Sequence, residues 1–201
     1  MSTNGRNTTP FANRVALLLA FIALLWAIEA VDYYALGQSL DRNGIRPRSA
    51  SGLVGIPAAP LLHHGFAHLA ANTLPLLVLG GLVIMSGVAD FFAVTIVAAL
   101  VGGLGVWLFA PSNTVHLGAS GLVFGYFGYL VMRGYYQRSF GTLLVAAAVV
   151  VFYGGMLWGV LPTQPGVSWQ GHLFGFLGGA LAARLMHRKP AAGNLNLGGT
   201  L

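Results

Sequence analysis

Three short stretches hold most of the side chains able to do chemistry in an otherwise apolar chain. "HLGASG" at 116–121 sets Ser120 among Gly118, Ala119 and Gly121 at the head of an apolar run. "HHGFAHLAANT" at 63–73 carries His63, His64, His68 and Asn72, and "GHLFGFLGG" at 171–179 carries His172. A serine hydroxyl is a weak nucleophile until a base within hydrogen-bond reach takes its proton. Histidine is the side chain whose ordinary pKa suits that exchange near neutral pH. The four acids, Glu29, Asp32, Asp41 and Asp90, are remote in sequence from Ser120 and His172. The economical arrangement is therefore a dyad, with Ser120 as nucleophile and His172 as general base. His116, four residues before Ser120, is the rival base, although its loop position predicts a solvent-facing ring.

Acyl transfer also needs donors aimed at the developing oxyanion. On a helix, His64, His68 and Asn72 fall at i, i+4 and i+8, one polar stripe on one face. His68 and Asn72 can each donate, and the Ser120 N–H at a helix start is a third donor, with the positive end of the helix dipole behind it. Phe124, one turn below Ser120, offers an aromatic surface for the imidazole of His172. His63 and His64 read as polar residues at the water–lipid boundary, or as water ligands at the mouth of the site. Glu29 and Asp32 read as interfacial anchors beside Tyr33 and Tyr34, or as partners of a loop arginine.

These groups must be positioned by membrane helices. Of 201 residues, 56% are hydrophobic and 7% charged, against roughly 25% charged in soluble domains. A bilayer core takes about 20 apolar residues as helix, and six segments qualify, roughly 14–36, 58–86, 89–110, 118–136, 140–161 and 170–187. The expected organisation is an N-terminal segment 1–13, an all-α, six-transmembrane-helix bundle over 14–187, and a polar tail 188–201. The first apolar run exceeds a signal h-region, and no cleavage site follows it. With both termini inside, inner connectors hold seven cations (Arg6, Arg14, Arg133, Arg138, Arg184, Arg188, Lys189) and outer ones three (Arg42, Arg46, Arg48), so the termini are expected to be cytoplasmic. The basic residues form no stripe suited to nucleic acid, despite a net charge of +6.

In this topology the second, fourth and sixth spans all start on the outer side, so Ser120, His172, His68 and Asn72 share one depth. Polar groups inside a span are costly and read first as functional. Gly171, Gly175 and Gly179 recur every four residues on the sixth span, and Gly121, Gly125 and Gly128 answer on the fourth. Such ridges let two backbones approach closely. Gly118, Gly121 and the turn-rich "PTQPGVSWQG" at 162–171 suggest a cavity open to the outer side. The segment before the sixth span reads as a movable cap, with substrate admitted between spans two and five.

"GASG" at 118–121, "HLAAN" at 68–72 and "GHLFGFLGG" at 171–179 together resemble the three signatures of the rhomboid intramembrane serine proteases, in order and spacing. The resemblance covers about residues 14–187. It implies Ser120 as nucleophile, His172 as general base and His68 and Asn72 lining the oxyanion hole, with no cofactor and no metal. It further implies transmembrane protein substrates, cut near the outer end of their membrane segment; the size and simple six-span plan suggest a prokaryotic plasma membrane. Position 124 is Phe where the family often has Tyr, and "RNGIRPR" at 42–48 stands where a Trp-Arg pair is often found. Two other classes remain open: a rhomboid-like binder that holds transmembrane helices without cutting them, and a metal transporter using His64, His68 and His172.

Overall fold

The computed structural model describes residues 9–163 and 166–187. Arg6, Arg188 and Lys189, the expected tail 188–201 and most of segment 1–13 lie outside the described residues. Helices α1 (Phe11–Ala35), α2 (Ala50–Ala58), α3 (Phe66–Pro75), α4 (Gly81–Ser86), α5 (Val88–Phe109), α6 (Ser120–Gln137), α7 (Phe140–Tyr153) and α8 (Trp169–Met186) make an all-helical protein. Pro75 lacks the N–H for one rung of the helical ladder, and a π turn over Leu76–Gly80 carries α3 into α4 as one rod, Phe66–Ser86. Among the described residues, four helices are long and apolar enough to cross a membrane: α1, Phe66–Ser86, α5 and Phe140–Val160. The two 18-residue helices, α6 and α8, form the interior.

Three boundaries differ from the sequence reading. The second segment, expected from residue 58, becomes a helix only at Phe66. Its approach is broken at Leu62–Gly65, where Gly65 takes φ +87°, a value glycine adopts at little cost. Helix α2 lies in what reads as a plain connector. Gly52 and Gly55 let it rest on the backbone of Arg46 and Gly44, where a Cβ would overlap their carbonyl oxygens. Finally, α7 tightens to a 3-10 helix over Gly154–Val160, where Gly154 and Gly155 weaken α-helical propensity.

Helix α6 is the axis of the molecule: every residue from Leu122 to Leu130 is buried. A helix apolar on all sides needs neighbours on all sides, and α5, α7, α8 and the π turn supply them. The contact with α8 is made by backbone. A Cβ on Gly175 would fall on the carbonyl oxygen of Gly121, one on Gly179 on that of Gly125, and one on Gly128 on that of Phe176. Helix α5 completes the contact through Ala98, which lies against Gly125 and 2.9 Å from where a Gly178 Cβ would stand. The buried Tyr126 hydroxyl donates to Thr95 Oγ1 at 2.8 Å, and Thr95 donates to the Phe91 carbonyl, so this interior polar group is satisfied.

His63 fixes the turn that starts α6. It is 1% exposed, not at the boundary with water, because the chain from Ala59 to Gly65 folds beneath the loop before Ser120. Its Nε2 accepts the Ala119 N–H at 3.2 Å, which requires a neutral ring. Burial, aided by His68, lowers its pKa from 6.5 to about 4. The unfolded chain therefore takes up this proton at higher pH than the folded one, and the linked stability is lost as pH falls from about 6.5 toward 4.

Two predictions follow from this packing. Gly179→Val should remove the folded population, because a backbone carbonyl cannot step aside. Gly141→Ala on α7, with nothing within 4 Å, should leave the thermal midpoint in detergent unchanged or slightly raised. The midpoint of the parent should also fall between pH 7 and pH 5, and His63→Gln should reduce that dependence, with the half-buried His116 ring accounting for part of the remainder. A parent curve flat over this range would refute the assignment to His63.

Candidate active site

Gly118 turns the chain into α6 with φ +117°. A side chain there would also meet the His68 ring, since a Cβ would stand 2.6 Å from Cε1 and 2.8 Å from Nε2. The imidazole of His68 thus lies directly against the loop that carries Ser120. The Gly118 N–H donates to Ala59 O at 2.8 Å and the Ala119 N–H to His63. The N–H groups of Ser120 and Gly121 find no acceptor among the described residues, as the first amides of a helix do. They are free to receive an anion.

His172 opens the second turn of α8, one residue from Gly171, whose carbonyl oxygen is 3.5 Å from where a Gly121 Cβ would be. Its ring stacks on Phe124 with centroids 4.1 Å apart and planes 10° from parallel. Phe124 lies one helical turn beyond Ser120, and helix side chains lean toward the N-terminus, so hydroxyl and imidazole share one side of α6. The Nδ1–H of His172 donates to the Gly159 carbonyl at 2.9 Å. That fixes the tautomer and leaves Nε2 with its lone pair. No hydrogen bond joins Ser120 Oγ to His172 among the described residues; in unliganded enzymes such bonds are often long and tighten with substrate. Ser120 lines a cavity of about 40 Å³ with Gly118, Gly121, Gly171, His116 and Ser168.

On α3, the buried Asn72 donates from Nδ2 to His68 O at 3.1 Å, which leaves its second N–H available. The His64 N–H lies 3.5 Å from His68 Nδ1, so the ring proton of neutral His68 sits on Nε2, the atom against Gly118. The stripe on the helix has two members, not three. His64 precedes α3, is exposed, and holds Asp41 Oδ2 through Nδ1 at 2.7 Å. Among the described residues, no three His, Cys, Asp or Glu side chains are grouped to hold a metal ion.

Several residues stand elsewhere than the sequence suggests. His116 is half-buried, with Thr114 Oγ1 and Ser168 Oγ each 2.7 Å from a ring nitrogen, so its ring is not presented to solvent. Glu29 and Asp32 are buried at 2% and 3% exposure, because the loop after α1 folds back over its end. There Asp32 Oδ1 accepts the Leu40 N–H at 3.0 Å, and neither acid pairs with an arginine among the described residues. The Gly159 carbonyl escaped the sequence reading altogether. A backbone acceptor has no side-chain signature, although the glycine-rich "GGMLWG" at 154–159 marks where helical hydrogen bonding gives way.

Comparison with known proteins places the chain in a family. A model of the Rhomboid domain matches residues 51–189. An uncharacterized protein of Mycobacterium tuberculosis is 43% identical over 177 residues, covering 84% of this chain and 73% of its own. YdcA of Bacillus subtilis, named provisionally as a rhomboid protease, is 30% identical over 187 residues, covering 87% of this chain and 89% of its own. The rhomboid protease GluP of Bacillus subtilis is 32% identical over 129 residues, 61% of this chain and 24% of its own. With a domain match over more than half its length and, among the described residues, four helices long and apolar enough to cross a membrane, the chain belongs to the rhomboid family of membrane proteins.

Proposed function

We propose that this protein is an intramembrane serine endopeptidase in which Ser120 and His172 act as a dyad. The observation that carries the reading is the His172 ring. It is stacked on Phe124, one turn from Ser120, and its Nδ1–H is committed to Gly159, so Nε2 is free to act as base. Nε2 takes the Ser120 proton as Oγ attacks the scissile carbonyl. The oxyanion is met by the free N–H of Ser120, with His68 Nε2–H and the second N–H of Asn72 beside it. The imidazolium then protonates the leaving amine, and the C–N bond breaks to leave an acyl-enzyme. Water, deprotonated by the same Nε2, attacks the ester carbonyl, and the proton returns to Ser120 Oγ as the ester bond opens. Phe124 and the Gly159 carbonyl hold the ring through both proton transfers, and no carboxylate is needed.

The substrate is a transmembrane segment, cut near its outer end. A helix shields its own carbonyls, so helix-weakening residues near the cleavage point favour attack. The cavity of about 40 Å³ beside Ser120 suits a small side chain. In this reading α6 and α8, each about 27 Å long, cross the bilayer with the four apolar helices. The cations Arg14, Arg133, Arg138 and Arg184 mark the cytoplasmic end of a plasma-membrane protein with both termini inside. Substrate enters between the Phe66–Ser86 rod and α7, of whose residues only Val149 is buried.

Purified protein in detergent tests the dyad with a fluorogenic transmembrane substrate and a fluorophosphonate probe. Ser120→Ala and His172→Ala should each lose at least about 10³-fold in cleavage, and Ser120→Ala should also lose labelling. His68→Ala and Asn72→Ala should lose about 10²-fold. A parent that binds transmembrane helices but neither cleaves nor labels would be the non-catalytic binder. For the substrate path, cysteine cross-links joining the Phe66–Ser86 rod to α7 should stop cleavage of the membrane substrate while probe labelling continues. Undiminished cleavage would close that route.

A further inference from the structure

His116 has no part in the dyad, yet its hydrogen bonds join the two helices that carry it. Its backbone pairs with Ile45 in both directions, N to O at 3.0 Å and O to N at 2.8 Å. The ring lies between Thr114 Oγ1 and Ser168 Oγ. The protons can be placed without choice. The Pro111 carbonyl, 2.6 Å from Thr114 Oγ1, can only accept, so Thr114 spends its hydroxyl proton there and accepts from His116 Nε2–H. A neutral ring then presents a lone pair at Nδ1, and the Ser168 hydroxyl donates to it. Burial lowers the His116 pKa below 6.5, which agrees with a neutral ring.

Ser168 is the N-cap of α8. Its Oγ accepts the Gly171 N–H at 3.3 Å and its carbonyl accepts the His172 N–H at 3.1 Å. His116 therefore stands four residues before Ser120 and touches the residue four before His172, across the cavity both helices line. The glycine contacts between α6 and α8 bring the axes together but contain no directional bond to fix their axial register. The bond from Ser168 to His116 is directional and sits at the outer end, where register matters. We propose that His116 is a positioning residue which, through Ser168, sets the separation of His172 from the Ser120 hydroxyl.

The role rests on the protease reading, and full-length protein in detergent can separate the two. Ser120 labelling by a fluorophosphonate, kcat and KM for the transmembrane substrate, and the thermal midpoint are measured for each variant. His116→Leu and Ser168→Ala should each slow labelling and kcat by about tenfold or more, with KM within about twofold of the parent. His116→Asn, whose Oδ1 takes the place of the Nδ1 acceptor, should recover most of the rate, as should Ser168→Thr. The double variant His116→Leu/Ser168→Ala should be no slower than Ser168→Ala alone, because the bond to His116 is already lost there together with the cap bond to the Gly171 N–H. Parent rates in His116→Leu, multiplying losses, or a folded His116→Asn as slow as His116→Leu would overturn the role. Should His116→Leu fail to fold, His116→Ala takes its place in the comparison with His116→Asn, since both leave the Ser168 cap of α8 in place. A parent that does not label at Ser120 refutes the protease reading and this role together; a labelling parent with unaffected variants refutes this role alone.

Discussion

The touching backbones of α6 and α8 are the constraint on which the rest of the molecule depends. In lipid, apolar side chains gain little by leaving one another's company for hydrocarbon, so helix association relies on dispersion contacts and on polar bonds. Glycine at 121, 125, 175 and 179 removes the side chains that would hold the axes apart, and at 175 and 179 carbonyl oxygens of α6 fill the space a Cβ would take. Ala98 of α5 lies in the same seam, so three helices meet on small residues. Bulk is restored on either side by Phe91, Tyr126, Phe127 and Phe176. Close approach at the centre brings the start of α6, with Ser120, beside the start of α8, where the His172 ring stacks on Phe124.

The starts of α6 and α8 obey a different economy. A buried polar atom without a partner is costly, and each histidine near the site has its ring state decided by a neighbour. Nε2 of His63 accepts from the Ala119 amide, His116 lies between two hydroxyls, and Nδ1 of His172 donates to Gly159 O. A backbone carbonyl in place of a carboxylate orients the ring without adding a second charge to a site with little water. It also accounts for an otherwise puzzling composition. At the loop after α1, Asp32 holds the Leu40 N–H and Asp41 holds His64, and neither carboxylate serves the His172 ring.

Membrane character and the approximate limits of the helices could be read directly, because apolar runs of the right length answer to the thickness of the bilayer alone. The rhomboid signatures were legible too, since a serine among glycines and a histidine within a glycine ridge are unusual in such runs. The individual histidines were harder. His64 and His68 are spaced for one helical face, yet Gly65 delays the helix until Phe66, so only His68 lies on it. His63 and His116, which periodicity and loop position would send toward water, are buried or half-buried by chain segments distant in sequence.

What the amino-acid sequence determined by itself was therefore local and additive: hydropathy, helix-breaking glycine and proline, and the presence of a serine among small residues, several imidazoles and two small-residue ridges. What only the tertiary structure decided was which atoms face one another. The start of α3 depends on the turn at Gly65, the His172 tautomer on a carbonyl thirteen residues away, and the fixing of His116 on a bridge to Ile45 and a hydroxyl from the cap of α8. Hydrogen bonds are short and directional, so their partners are settled by how the helices and loops come to rest, and no periodicity along the chain encodes that.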